Sequence, residues 1–69
     1  MHEIIKQRLI AELKASKLTK KEIGNRIGVS SEMVTQYITT DKLPTLVTFA
    51  KLCKELDLSA DYILGIDNN

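Results

Sequence analysis

A tight turn, Gly28-Val29-Ser30, set between two short helical patterns is the feature that most restricts how this chain folds. Thr19 followed by Glu22 is a capping-box pattern, in which the threonine oxygen accepts from the third helical N–H and the glutamate reaches back to the cap. A helix therefore starts near Lys20, carries Ile23 and Ile27 inward and stops at Gly28, a residue suited to the left-handed conformation that ends helices. Ser30 caps a second helix, from Ser31 to about Ile38, with Val34, Tyr37 and Ile38 apolar and Ser31, Glu32, Thr35 and Gln36 polar. Gly24 stands where the first of these helices must pass close under the second. A glycine inside a helix costs about 1 kcal/mol relative to alanine, so close packing is the reason to expect for it.

Two helices of this size bury little by themselves, and the rest of the 69 residues must complete one core. The chain reads as a single domain over residues 1–69, since either half would fall below the roughly 40 residues at which unaided folding usually fails. Ile5, Leu9 and Leu13 make an apolar stripe on a helix over about residues 3–16, with Glu3, Lys6, Arg8, Glu12 and Lys14 forming its charged remainder. Pro44 forbids helical continuation from the residue before it, and Thr45 caps a helix whose stripe is Leu46, Phe49, Ala50, Leu52, Cys53 and Leu56. Ser59 opens a last short helix holding Tyr62, Ile63 and Leu64, closed by Gly65, with residues 66–69 as a polar tail. No stretch alternates apolar and polar residues long enough for a half-buried strand. The fold class is all-α, with five helices around Leu9, Leu13, Ile23, Ile27, Val34, Tyr37, Leu46, Phe49, Leu52, Leu56 and Ile63.

Composition narrows function by exclusion. A hydrophobic content of 43% with 28% charged residues is ordinary for a soluble globular chain, and no apolar run is long enough to span a membrane. One cysteine makes no internal disulfide and the first ten residues lack a secretory pattern, so a cytoplasmic location is expected. Cys53 and His2 are too few to hold a structural metal, and no cofactor motif stands out. There is no Gly-rich phosphate loop and no Ser/His/Asp set, so an enzyme is not expected. The net charge is only +1, but residues 1–42 carry eight basic and five acidic side chains against two and four in residues 43–69. The positive end is the N-terminal part.

Two short helices joined through Gly28-Val29-Ser30 fit a helix-turn-helix at residues 19–38, a motif whose second helix enters the major groove of DNA while the first crosses the backbone. The run Leu18-Thr19-Lys20-Lys21-Glu22-Ile23-Gly24-Asn25-Arg26-Ile27-Gly28-Val29-Ser30, then Val34, Tyr37, Pro44, Leu46, Leu52, Leu56 and Ser59, and the closing Asp61-Tyr62-Ile63-Leu64-Gly65, resembles the Cro/CI-type or XRE helix-turn-helix family. The resemblance covers residues 4–65 and rests on order and spacing rather than on any one element. It implies a five-helix, lambda-repressor-like domain and a sequence-specific DNA-binding transcriptional regulator of prokaryotic or phage type, with repression the expected action. It also implies a double-stranded DNA operator as partner, with Lys20 on a phosphate and base reading at Ser31, Glu32, Thr35 and Gln36. Gln36 can pair with adenine through two hydrogen bonds, and Glu32 can accept from a cytosine amino group. In the loop that follows, the hydroxyls of Thr39 and Thr40 and the Lys42 ammonium are placed to reach phosphates.

Three departures from the family pattern change what is expected. The positions of its usual Glu–Arg pair fall on Ile38 and Leu13, both apolar, a replacement that is often neutral or stabilising. A one-residue deletion in the first helix would instead place Lys14 on the Arg position. Its Asn-Gly turn is Thr39-Thr40 here, and the low net charge with an acidic Glu32 predicts modest affinity. Selective binding then leans on two copies, as a weak homodimer or a dimer formed on DNA, with Leu58, Tyr62 and Ile66 as the contact residues. The alternative reading is a protein-interaction module on the same fold, antirepressor or antitoxin-like, which would show an exposed apolar patch where Lys20, Gln36 and Lys42 stand. Met33 fits a thymine methyl, a protein contact or a gap in the core.

Overall fold

The computed structural model describes residues 1–66, so residues 67–69 of the expected polar tail lie outside it. Five helices follow in order: α1 (His2–Ala15), α2 (Lys20–Ile27), α3 (Ser31–Thr39), α4 (Leu46–Leu56) and α5 (Ala60–Leu64). Strands are absent among the described residues. Hydroxyl caps start four of the helices: Thr19, Ser30, Thr45 and Ser59 each accept from the backbone N–H three residues on. The capping box at α2 is complete, because the Glu22 carboxylate also accepts from the Thr19 N–H at 3.0 Å. Gly28 ends α2 with φ 79° and Gly65 ends α5 with φ 71°. Asp57 ends α4 at φ 55°, a left-handed position that the sequence reading did not mark.

Leu9, Leu13, Ile23, Ile27, Val34, Tyr37, Leu52 and Ile63 form the buried cluster, drawing on all five helices. Phe49 and Leu56 are half-buried against it, together with Ile38. Leu46 is a correction: it was expected in the core and is 82% exposed. At 100° per residue Leu46 lies about 120° around the helix from Leu52, and Ala50, also exposed, lies about 160° away. The expected stripe was therefore too wide for one buried face, and only the Phe49, Leu52 and Leu56 side turns inward. Leu13 is buried while Lys14 is exposed, which fits the ungapped register with apolar residues at both positions of the missing ion pair.

Gly24 has the expected packing reason, though its neighbour is the turn rather than the body of α3. A Cβ placed on it would lie 2.5 Å from the Val29 carbonyl oxygen and 3.2 Å from the Ser30 carbonyl carbon. The Gly24 carbonyl meanwhile accepts from the N–H groups of Gly28 and Val29, at 2.8 and 2.9 Å, so the turn folds back onto the glycine. Gly24→Ala should destabilise the chain by about 1–3 kcal/mol, the strain of overpacking exceeding the roughly 1 kcal/mol gained in helix propensity. The check is a denaturant titration; a midpoint at or above that of the unaltered protein would contradict this packing.

Candidate nucleic-acid interface

Helix α3 turns Val34 and Tyr37 into the core, and this fixes which residues it presents outward. Glu32, Gln36 and Thr39 are exposed, with Ser31 and Thr35 half-buried at the border toward α2. An open groove lined by Lys14, Lys20, Lys21, Ser31, Thr35 and Ile38 runs between the end of α1, the start of α2 and the half-buried edge of α3. The structure thus brings Lys20 beside two of the expected base-reading positions. It adds Lys14 and Lys21, which the sequence reading did not select. The signal for Lys21 was available, since a lysine in the first turn of a capped helix sits next to the same N-terminus as Lys20.

Hydroxyl groups along α3 are engaged with its own backbone. Thr35 donates to the Ser31 carbonyl at 3.1 Å, Thr39 to the Thr35 carbonyl at 2.9 Å and Thr40 to the Gln36 carbonyl at 2.6 Å. As they stand, these hydroxyls offer acceptor lone pairs, and they must rotate to donate to a phosphate. The Gln36 amide makes no hydrogen bond to another described residue, so both its donor and its acceptor remain available. Beyond α3 the chain leaves in extended form at Thr40, φ −128° and ψ −179°, a backbone that Thr39-Thr40 adopts without the family's usual Asn-Gly turn. The Thr40 hydroxyl then accepts from the Lys42 N–H at 3.1 Å, closing the loop on itself.

Lys6 is the second correction. The sequence reading placed it on the charged face of the first helix, yet it is only 8% exposed. Its ammonium donates to the Tyr37 carbonyl in the last turn of α3 and to the Lys42 carbonyl in the loop. Loss of hydration holds its pKa below the ordinary lysine value, partly offset by the Asp41 carboxylate. Its spacing carried the signal: residues 6, 9 and 13 share one helical face, so Lys6 lies on the stripe of Leu9 and Leu13.

Of the three expected contact residues between copies, Leu58 is half-buried and packs on the core. Tyr62 is exposed, with the Arg8 guanidinium 4.3 Å from its ring centroid and donating to its carbonyl oxygen. Ile66 is 57% exposed. Burial pushes the half-buried Cys53 thiol up from its ordinary pKa.

The Glu22 carboxylate is held below its ordinary value, first by the hydrogen bond from the Thr19 N–H and then by that from the Thr19 hydroxyl. A depressed folded-state carboxylate contributes stability that is present above the unfolded pKa and is lost as pH falls through the folded one. Melting temperature should therefore fall with acid more steeply in the unaltered protein than in Glu22→Gln, the gap between the two curves being full above about pH 4 and closing below it. Parallel curves from acid to neutral pH would mean that the box contributes nothing.

Two capped helices meeting at a left-handed glycine, with a polar second helix held over the core by its inner face, define a helix-turn-helix domain. The helix-turn-helix family profile matches residues 9–63, and the chain belongs to that family. An uncharacterised HTH-type transcriptional regulator of Bacillus subtilis, YobD, is 35% identical over 63 residues, covering 91% of this chain and 56% of the relative. The cryptic phage CTXphi transcriptional repressor RstR of Vibrio cholerae is 31% identical over 61 residues, covering 88% of this chain and 54% of the relative. The chain thus spans about half the length of these curated relatives. No solved structure gives a significant match.

Proposed function

We propose that this chain is a sequence-specific DNA-binding transcriptional regulator, acting as a repressor, which reads a double-stranded operator with α3 in the major groove. The observation that carries this reading is the shared groove that sets Lys20 and Lys21 at the capped start of α2 beside Ser31 and Thr35 on α3. An ammonium at a helix N-terminus suits a phosphate, and the exposed Gln36 amide suits a base edge. The names of the relatives, a transcriptional regulator and a phage repressor, point the same way. Lys42, Thr39 and Thr40 extend the phosphate contacts past the end of α3, and Glu32, exposed on α3, serves as an acceptor for a base amino group. The role is binding rather than catalysis, in the cytoplasm, where chromosomal and phage DNA lie.

The reading as a protein-interaction module has less support. The exposed large apolar residues are Met1, Ile4, Leu46, Val47, Tyr62 and Ile66, and none belongs to α2, α3 or the loop after it. Met33 is half-buried against the core, which favours its gap-filling role. Pairing of two copies on paired half-sites, about one helical turn or 34 Å apart, rests on Tyr62 and Ile66 at the less basic end. Ile66→Asp should leave folding intact and reduce cooperativity on DNA.

Selection of bound duplexes from a random pool tests the proposal. Recovery of one preferred site, with affinity that falls as salt rises, is the expected result. A pool left unenriched, with no salt-dependent binding, would overturn it.

A further inference from the structure

Helix α3 ends without a basic residue in its last turn, so nothing on the helix itself offsets the negative end of its dipole. Lys6 brings a cation there from α1. Its ammonium bridges the Tyr37 carbonyl, in the last turn of α3, and the Lys42 carbonyl, in the loop. The two acceptors lie on either side of Thr39 and Thr40, so the bridge closes the segment that carries three of the proposed phosphate contacts. A buried ammonium is a costly way to fill space, because methionine would pack there without loss of hydration. What Lys6 adds that methionine would not is the hold on these two carbonyls, and so on the geometry of the loop.

We infer that Lys6 is a positioning residue for DNA binding, holding the end of α3 and the loop to Lys42 in the arrangement that meets the phosphates. The inference rests on the proposed DNA-binding function. Lys6 touches no DNA itself, since its ammonium is turned inward onto two carbonyls. It acts through Thr39, Thr40 and Lys42, and through Lys42 above all, whose own carbonyl it holds.

The test uses the duplex selected by the unaltered chain and measures affinity against salt for four proteins: unaltered, Lys6→Met, Lys42→Ala and the double variant. Lys6→Met should remain folded and lose about tenfold in affinity, the scale of a charged hydrogen bond. The slope of log affinity against log salt should become shallower by about one unit in Lys6→Met, as in Lys42→Ala, with no further change in the double variant. A merely structural lysine would leave the slope of the folded protein unchanged, and two independent phosphate contacts would lower it by about two units in the double variant. Either result overturns the inference. Should Lys6→Met fail to fold, Lys6→Gln, which lacks the charge and the reach to bridge both carbonyls, is judged by the same slopes. An unaltered chain with no salt-dependent binding overturns the DNA reading and the role of Lys6 together. Binding by the unaltered chain with a full slope in Lys6→Met overturns the role of Lys6 alone.

Discussion

Leu52→Ala should lower the stability of the chain by about 2–5 kcal/mol, the largest effect expected of a single substitution here. Leu52 is 0% exposed and belongs to the cluster that joins all five helices. Truncation removes apolar burial and leaves a cavity that the surrounding helices close only in part. A domain of this length has roughly 3–10 kcal/mol of total stability, so the variant stands near the edge of unfolding. Chemical denaturation should show a midpoint shifted far down with its slope unchanged. Leu46→Ala provides the contrast within the same helix: Leu46 is exposed, and its truncation should change stability by less than about 0.5 kcal/mol. Equal midpoints for the two variants would show that α4 is turned differently against the core.

Gln36→Ala should relax sequence preference by about 1–3 kcal/mol at one base position while sparing the rest of the site. The expectation follows from the outward position of Gln36 on α3 and from its amide, which has no hydrogen-bond partner among the described residues. Lys20→Ala should fail in another way, weakening all duplexes alike and reducing the salt slope by about one unit. The difference is chemical: an amide matches the paired donor and acceptor of a base edge, whereas an ammonium is a point charge that reads only phosphate. Competition assays over single-base variants of the selected duplex distinguish the two profiles. Identical profiles for Gln36→Ala and Lys20→Ala would remove the assignment of separate roles.

The local parts of this protein were legible residue by residue. Thr19 with Glu22, Ser30, Thr45 and Ser59 mark helix starts because their hydroxyls are chemically suited to orphan N–H groups, and each does so in the structure. Gly28 and Gly65 mark helix ends for an equally local reason, the left-handed φ that a side chain resists. Lys20 and the polar face of α3 were likewise readable, because the apolar positions of an eight- or nine-residue helix determine which face stays outside. Asp57 escaped because a left-handed aspartate has no composition signal comparable to glycine.

Leu46 and Lys6 show what the sequence left open. Both follow a helical spacing rule, and both were assigned to the wrong environment from residue type. Leu46 sits in the first turn of α4, at the margin of the stripe, where the side chain faces water. Lys6 sits on the inner stripe of α1, where its charge is tolerable only because Tyr37 and Lys42 place two backbone carbonyls within its reach. Neither partner is near Lys6 in the chain, so no local pattern announces them. The sequence by itself determined the five helices, the hydroxyl caps of four of them, the turn at Gly28 and the polar face of α3, all of which depend on neighbours within about four residues. Only the tertiary structure decided how wide each buried face is, which lysines line the groove beside α3 and which one is turned inward. Those outcomes depend on the distance and angle between helices far apart in sequence, and on where free carbonyls and empty space remain once the core has closed.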